Sequence, residues 1–343
     1  MSLLPPLAPW QERSYAQAAE AIDAGTFGHA TLFCGPALIG KRVVAEKLAR
    51  RVLCQQRHAS GEACGRCKSC MLFAARSQMD PVEVRPDGEL AQPWGHSAHP
   101  DLFFVGYEIN GKTGKPRTEI LIEQVRALSE RMGLTSQLGA AQVVIVDPAN
   151  GVNWYAWNAI LKTLEEPQPG RYLWLLAATP GQLPATIRSR CQRLELRLPP
   201  RAEALAWLQQ RGHAAGAAVE ALDAARGHPG LADAWLAGDG LALRRAVADD
   251  AAALQRGQAE PMEVARRWVA DGRTGERLSH LAELALRQAS GLTDAAATRR
   301  LAARFDAANR ARELLRTPVR ADLAVAESLL PWCRTQDGGG RGA

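Results

Sequence analysis

The run VVIV at 143–146 is uninterrupted and β-branched, and it leaves few options for the fold. A strand with one wet face alternates apolar and polar residues. A run without alternation fits a strand covered on both faces, as in a parallel sheet between helices. LWLLAA at 173–178 has the same character, and shorter apolar runs stand at 31–34 (TLFC) and 103–105 (FFV). RLELR at 193–197 alternates as a later strand. Helical patterns lie between these runs. Val44, Leu48 and Val52 fall on one face, and Ile122, Val125 and Met132 share a stripe that Gly133 is placed to stop. NAILKTLEEP at 158–167 is predicted as a helix stopped by Pro167. Alternation of this kind predicts an α/β fold, a parallel sheet with helices on both faces.

The texture changes after Pro199 and Pro200. From 201 to about 328 the chain is rich in Ala, Leu and Arg, with glycine breaks near 227–230, 238–240 and 272–275. That half is predicted to be all helical, a small domain followed by a larger bundle, with no internal repeat. The stretch from about 77 to 119 is dense in Pro, Gly and His and predicts a surface insertion, loop-like apart from FFV. The final GGGRGA predicts a frayed tail. A length of 343 residues suits two or three domains, and 47% hydrophobic with 23% charged residues excludes a disordered chain. No apolar run approaches the ~18 residues of a membrane span, and the first residues lack a secretory pattern, so a cytoplasmic protein is expected. A net charge of +6 makes DNA an admissible partner and proves nothing more.

Four of the seven cysteines follow the pattern Cys54-x9-Cys64-x2-Cys67-x2-Cys70. In a reducing compartment this spacing reads as metal ligands before disulfides. Four thiolates satisfy tetrahedral Zn²⁺ and leave no open position for water, so a structural zinc is expected. Arg50, Arg51, Arg57, Arg66 and Lys68 are available to offset the net −2 of such a centre. His58, His96 and His99 are alternative ligands for one position.

GPALIGKR at 35–42 follows a strand and opens a helix, and Gly35, Gly40 and Lys41 match the G-x-x-x-x-G-K phosphate loop. Backbone N–H groups at such a helix start cradle phosphates, and the lysine reaches the terminal ones. The next position needs a Ser or Thr hydroxyl for Mg²⁺ and holds Arg42, which has donors only. VVIVD supplies a metal-side carboxylate in Asp147, but Pro148 stands where a hydrolysing enzyme keeps a Glu to orient water. The loop therefore reads as one that keeps its shape and has lost hydrolysis. Binding of nucleotide by this chain is doubtful, and a plain strand–turn–helix remains the alternative to a vestigial phosphate site. TIRSRCQ at 186–192, taken by itself, is a basic turn between two strands.

NAILKTLEEP, LAATP (176–180) and SRC (189–191), in this order and with the four-cysteine insertion behind a phosphate-loop helix, resemble bacterial clamp-loader AAA+ subunits. The resemblance runs from about 28 to 199. It implies a RecA-like AAA+ module with a zinc insertion at 1–198, a small helical lid at 199–240 and an all-α collar at 241–335, with a tail at 336–343. It also implies a non-hydrolysing part of the DNA polymerase III holoenzyme, a DNA-directed DNA polymerase. Its partners would be tau/gamma and delta subunits in a heteropentamer that loads the beta sliding clamp onto primed DNA. In the family the SRC arginine reaches ATP on a neighbouring tau/gamma subunit, and Arg190 matches it. Where the family's ATPases carry a lid arginine, RGHPGLADAW (226–235) has Gly230, Leu231 and Ala232. Two other readings compete. A tau/gamma-like ATP-hydrolysing motor would have to tolerate Arg42 and Pro148. A zinc-dependent nucleic-acid-binding protein has only the cysteines and nearby basic residues in its favour.

Overall fold

The computed structural model describes residues 4–86, 88–139, 141–166, 168–315 and 317–333. Pro167 and the glycine-rich end, for which a helix stop and a tail are predicted, lie outside the described residues. Each run named above begins in a strand, although Ala178 and residues 196–197 fall beyond the ends of theirs. β1 (Ala30–Cys34) is followed by a short antiparallel pair, β2 (Arg76–Ser77) and β3 (His96–Ser97). Then come β4 (Leu102–Val105), β5 (Gln142–Val146), β6 (Arg171–Ala177) and β7 (Gln192–Glu195). The main sheet has five strands in the order β4-β5-β6-β1-β7, and every pairing in it is parallel. β1 and β5 are buried at every position, which explains their unbroken apolar sequence.

Helices cover both faces. Val143 and Ile145 join a core with α1 (Pro9–Asp23) and α2 (Lys41–Leu53), where Trp10, Val44 and Leu48 meet Phe33 and Trp174. Val144 and Val146 point the other way, into a core with Leu128, Trp157 and Leu164. That second face is built by α4 (Ile122–Gly133), a 3₁₀ segment over Trp154–Ile160, and α5 (Leu161–Glu165). The short helices α3 (Lys68–Ala74) and α6 (Ala185–Arg188) lie in the connections.

Two local expectations change, and a third, the stop at Gly133, holds. NAILKTLEEP is not one α-helix. Its first residues belong to the 3₁₀ segment, which the Asn153 side chain opens by accepting from the Tyr155 N–H. A threefold repeat lines up residues three apart, and Trp157 and Ile160 are both buried there. The α4 stripe is Val125, Leu128 and Met132, with Ile122 at its half-buried rim. Gly133 ends α4 without a left-handed turn, because the chain leaves through an extended Leu134.

The chain divides into two compact units, Met1–Asp233 and Ala234–Ala343. The first also holds α7 (Arg201–Gln210), α8 (Ala215–Ala224) and the start of α9 (Pro229–Ala237). The second is helical among its described residues: α10 (Gly240–Arg256), α11 (Pro261–Ala270), α12 (Thr274–Ala289), α13 (Ala295–Leu314) and α14 (Ala321–Leu329). Its core gathers Val247, Trp268, Leu281, Val325 and Trp332. Among the described residues no helix is long and apolar enough to cross a membrane.

His280 in the second unit is 4% exposed and lies against Trp235, ring centroids 5.0 Å apart. Burial, with Arg244 beside it, pushes its imidazole from 6.5 down to about 4. The native ring is thus neutral where the unfolded chain takes up a proton. Stability should therefore fall as pH drops from about 6.5 towards 4, by about 3 kcal/mol in total, and change no further below that. His280→Phe keeps the ring against Trp235 and removes the titration. The wild-type-minus-variant difference in melting, followed from pH 7 to 4, should decline across this window; a constant difference would contradict the assignment.

Candidate functional site

The phosphate loop is shaped as its sequence requires. β1 runs into Gly35, where a Cβ would stand 2.4 Å from the Leu196 carbonyl oxygen. Gly40 opens α2 with φ +98°, and a Cβ there would meet the Gln11 amide at 2.0 Å. Only glycine satisfies both positions. The lysine that would serve a nucleotide is nevertheless engaged inside the chain, and carbonyls of the loop are tied to neighbouring side chains. Lys41 Nζ donates to the carbonyls of Gly35 and Pro36 at 2.8 and 2.7 Å. Lys41 is 9% exposed, and burial pushes its amine down to about 8. The Ile39 carbonyl accepts from Trp10 Nε1 and Gln11 Nε2, each at 3.0 Å. The Ala37 carbonyl pairs at 2.7 Å with Nε2 of His228, whose Nδ1 accepts from the Leu231 N–H and so leaves the proton on Nε2. The RGHPGLADAW stretch thus brings a histidine to the loop.

Arg42 fills the metal side. Its Nε pairs with Glu46 at 2.7 Å, and its Nη1 reaches Asp147 Oδ2 at 3.2 Å and the Ala91 carbonyl at 3.1 Å. Nη2 donates to the Gln92 side chain, and the guanidinium lies 4.3 Å from the Phe104 ring centroid. Asp147 Oδ2 also takes Arg85 at 2.8 Å, and Glu46, fully buried, takes Arg76 at 2.7 Å. Three guanidiniums therefore face two carboxylates. A divalent cation placed there would meet a surplus of positive charge as well as occupied oxygens.

Arg85, Ala91 and Gln92 come from the insertion at 77–119, which β2, β3 and the Val84–Leu90 bridge fold into place. The composition of that insertion assigns it no role. Its arginine and amide carry no motif, so only their arrival in space identifies them. Trp10 and Gln11 escaped for a similar reason, because α1 precedes every motif. The expected loop texture of the insertion is otherwise found, with β4 as its passage through the main sheet.

Cys54, Cys64, Cys67 and Cys70 come together, their sulfurs all within 4.8 Å of one another. Cys54 Sγ stands 3.7 Å from Cys64 and 3.8 Å from Cys67. A tetrahedron with bonds of about 2.3 Å has edges of about 3.8 Å, which two of the sulfur pairs already match, so the donor set suits Zn²⁺. Cys54 closes α2, Cys67 opens α3, and the N–H groups of Cys64 and Cys67 point at the sulfurs of Cys54 and Cys64. The alternative histidine ligands are not part of this group. His99 Nε2 meets Ser69 Oγ, His96 pairs with Glu83, and His58 is exposed on the loop. Arg51, expected to offset the thiolates, instead joins Asp23 of α1 to Glu62 of the knuckle, at 2.5 and 2.6 Å. Arg57 also turns to Asp23, at 3.2 Å.

The SRC turn follows α6. Cys191 is buried, and burial pushes its thiol up to about 12, so it is an inert packing residue. Arg190 is partly exposed and pairs with Glu165 at 2.7 Å.

A parallel α/β sheet with a phosphate loop after its interior strand β1, an arginine in the metal position and a four-cysteine knuckle behind the loop helix defines a P-loop-type protein. Residues 10–200 match the family described as "DNA polymerase III, delta subunit". Over 200 residues the chain is 38% identical to DNA polymerase III subunit delta' of Pseudomonas aeruginosa, covering 58% of this chain and 52% of that one. With subunit delta' of Escherichia coli the identity is 30% over 232 residues, covering 67% and 61%. With subunit gamma/tau of Mycobacterium tuberculosis it is 32% over 195 residues, covering 56% and 28%. The chain belongs to this DNA polymerase III family, and within it to the delta' subunits. The match spans little more than half of the delta' relatives' own length.

Proposed function

We propose that the chain is a clamp-loader subunit of DNA polymerase III that leaves ATP hydrolysis to its neighbours. The observation that carries this reading is the capture of Asp147 by Arg42 and Arg85, which puts guanidinium where a motor holds Mg²⁺. The same observation weighs against the tau/gamma-like motor. In this reading residues 1–198 are the AAA+ module, 199–240 the lid and 241–335 the collar. The chain assembles in the cytoplasm with tau/gamma and delta into a heteropentamer that loads the beta clamp onto primed DNA. Zn²⁺ sits on Cys54, Cys64, Cys67 and Cys70 as a structural ion, and Gly35, Gly40 and Lys41 are a vestigial phosphate loop. Arg190 acts in trans on a tau/gamma ATP site. Mixing purified chain with tau/gamma and delta should give one complex whose mass contains all three; separate species at micromolar concentration would sink the proposal.

The isolated chain should show no ATP turnover, and Arg42→Ser should not create any. The variant still has Arg85 on Asp147, and Pro148 where water needs a carboxylate. It should melt lower, by about 1–3 kcal/mol of stability, because buried Glu46 loses one of its two partners. Steady-state turnover by the pure wild-type chain that Lys41→Ala abolishes would restore the motor reading.

A further inference from the structure

We propose that Glu165 is a positioning residue that holds Arg190 on its own chain until an anion on a neighbouring subunit takes it. This rests on the reading of Arg190 as an arginine acting in trans.

Two stretches that are separate in sequence, TLEEP and SRC, meet here. Arg190 Nε and Nη2 converge on a single oxygen, Glu165 Oε1, at 2.9 and 2.7 Å. Nη1 donates to the Thr186 carbonyl at 2.9 Å. All three guanidinium nitrogens are therefore engaged, yet the side chains of Arg190 and Glu165 are 36% and 50% exposed. The group is held without being buried. The arrangement also uses one carboxylate oxygen where a fork-to-fork pair uses two, so it lacks the strongest geometry open to an arginine. Exposed pairs of this kind are weak, and a phosphoryl group with its larger charge outcompetes a single carboxylate. The contact is thus strong enough to bias the side chain and weak enough to exchange. Release of Arg190 then becomes part of engaging the neighbour, and Glu165 suppresses engagement before the neighbouring nucleotide is in place.

Neutralising the carboxylate removes the competitor while keeping the side chain's shape. In the complex reconstituted with tau/gamma and delta, Glu165→Gln should raise single-turnover ATP hydrolysis about two- to fivefold in the absence of clamp and DNA, the range set by an exposed ion pair. The rate with both present should stay near wild type. Melting of the free chain should not change, which separates this effect from a structural one. In the Glu165→Gln/Arg190→Ala double variant the increase should vanish. If Arg190→Ala slows the stimulated rate but Glu165→Gln leaves the unstimulated rate at wild type or lowers it, the restraint is overturned and the trans arginine stands. If Arg190→Ala changes neither rate, the trans arginine falls and the restraint with it.

Discussion

Cys67→Ser is expected to abolish metal binding and to unfold the knuckle while the main sheet stays folded. Wild-type protein prepared without chelator should carry about one zinc per chain by elemental analysis. A hydroxyl is a poor Zn²⁺ ligand, and loss of one thiolate leaves a three-sulfur site open to water. Structural zinc sites in isolated peptides bind with about 10–16 kcal/mol, all of it folding energy. Here the site sits on a folded body, so the loss should be local: amide exchange should rise steeply across 54–74 and little across β1, β5 and β6. The metal-free cluster cannot keep four thiolates at neutral pH. N–H groups of Arg66 and Cys67 pull the Cys64 thiol down to about 6, whereas burial pushes Cys70 up to about 12. Loading must therefore expel protons, and zinc should be released progressively as pH falls. Native protein with no metal and four freely reacting thiols would remove the centre. Exchange spreading through α1 would instead point to the Arg51 tie between Asp23 and Glu62 as a wider support.

How far the site was legible in sequence depends on the kind of contact involved. The sheet was legible because burial on both faces leaves an unbroken apolar run, as at Val143 to Val146. The cysteines were legible because Zn²⁺ accepts few donor types at few spacings. The mismatch in the phosphate loop was legible too, since Arg42 offers no lone pair to a cation. What filled the vacated role was not. Arg85 and Gln92 reach Asp147 and Arg42 from an insertion whose composition says only "loop", and such long-range polar contacts follow no period. The pairing of Arg190 with Glu165 was hidden for the same reason. The tryptophans divide: Trp157 and Trp174 are buried, while Trp154 stands 62% exposed beside an exposed Tyr155. Periodicity could not sort them, because a 3₁₀ segment replaces the α-helix there.

Arg190→Ala should leave the fold and the assembly nearly intact and yet slow one ATP site by a large factor. The stability cost is small because the side chain is partly exposed and its ion pair is worth about 0–1 kcal/mol. In the proposed trans role the catalytic cost is large, because an arginine so placed stabilises charge developing on the transferred phosphoryl group, worth about 10³–10⁵ in other NTPases. Only the site that this chain faces should be affected, so total steady-state turnover will understate the loss wherever other sites continue to fire. Single-turnover hydrolysis and the rate of clamp loading resolve it, the first as a missing fast phase of one site's amplitude. Lys at 190 should rescue poorly, since an ammonium lacks the planar fork that grips two oxygens at once. A correctly assembled Arg190→Ala complex with an intact fast phase and unchanged loading would leave Arg190 as one more exposed charge. Loss of the phase in Arg190→Lys as well as Arg190→Ala would instead tie the effect to guanidinium geometry, since both variants are expected to assemble and one of them keeps the positive charge.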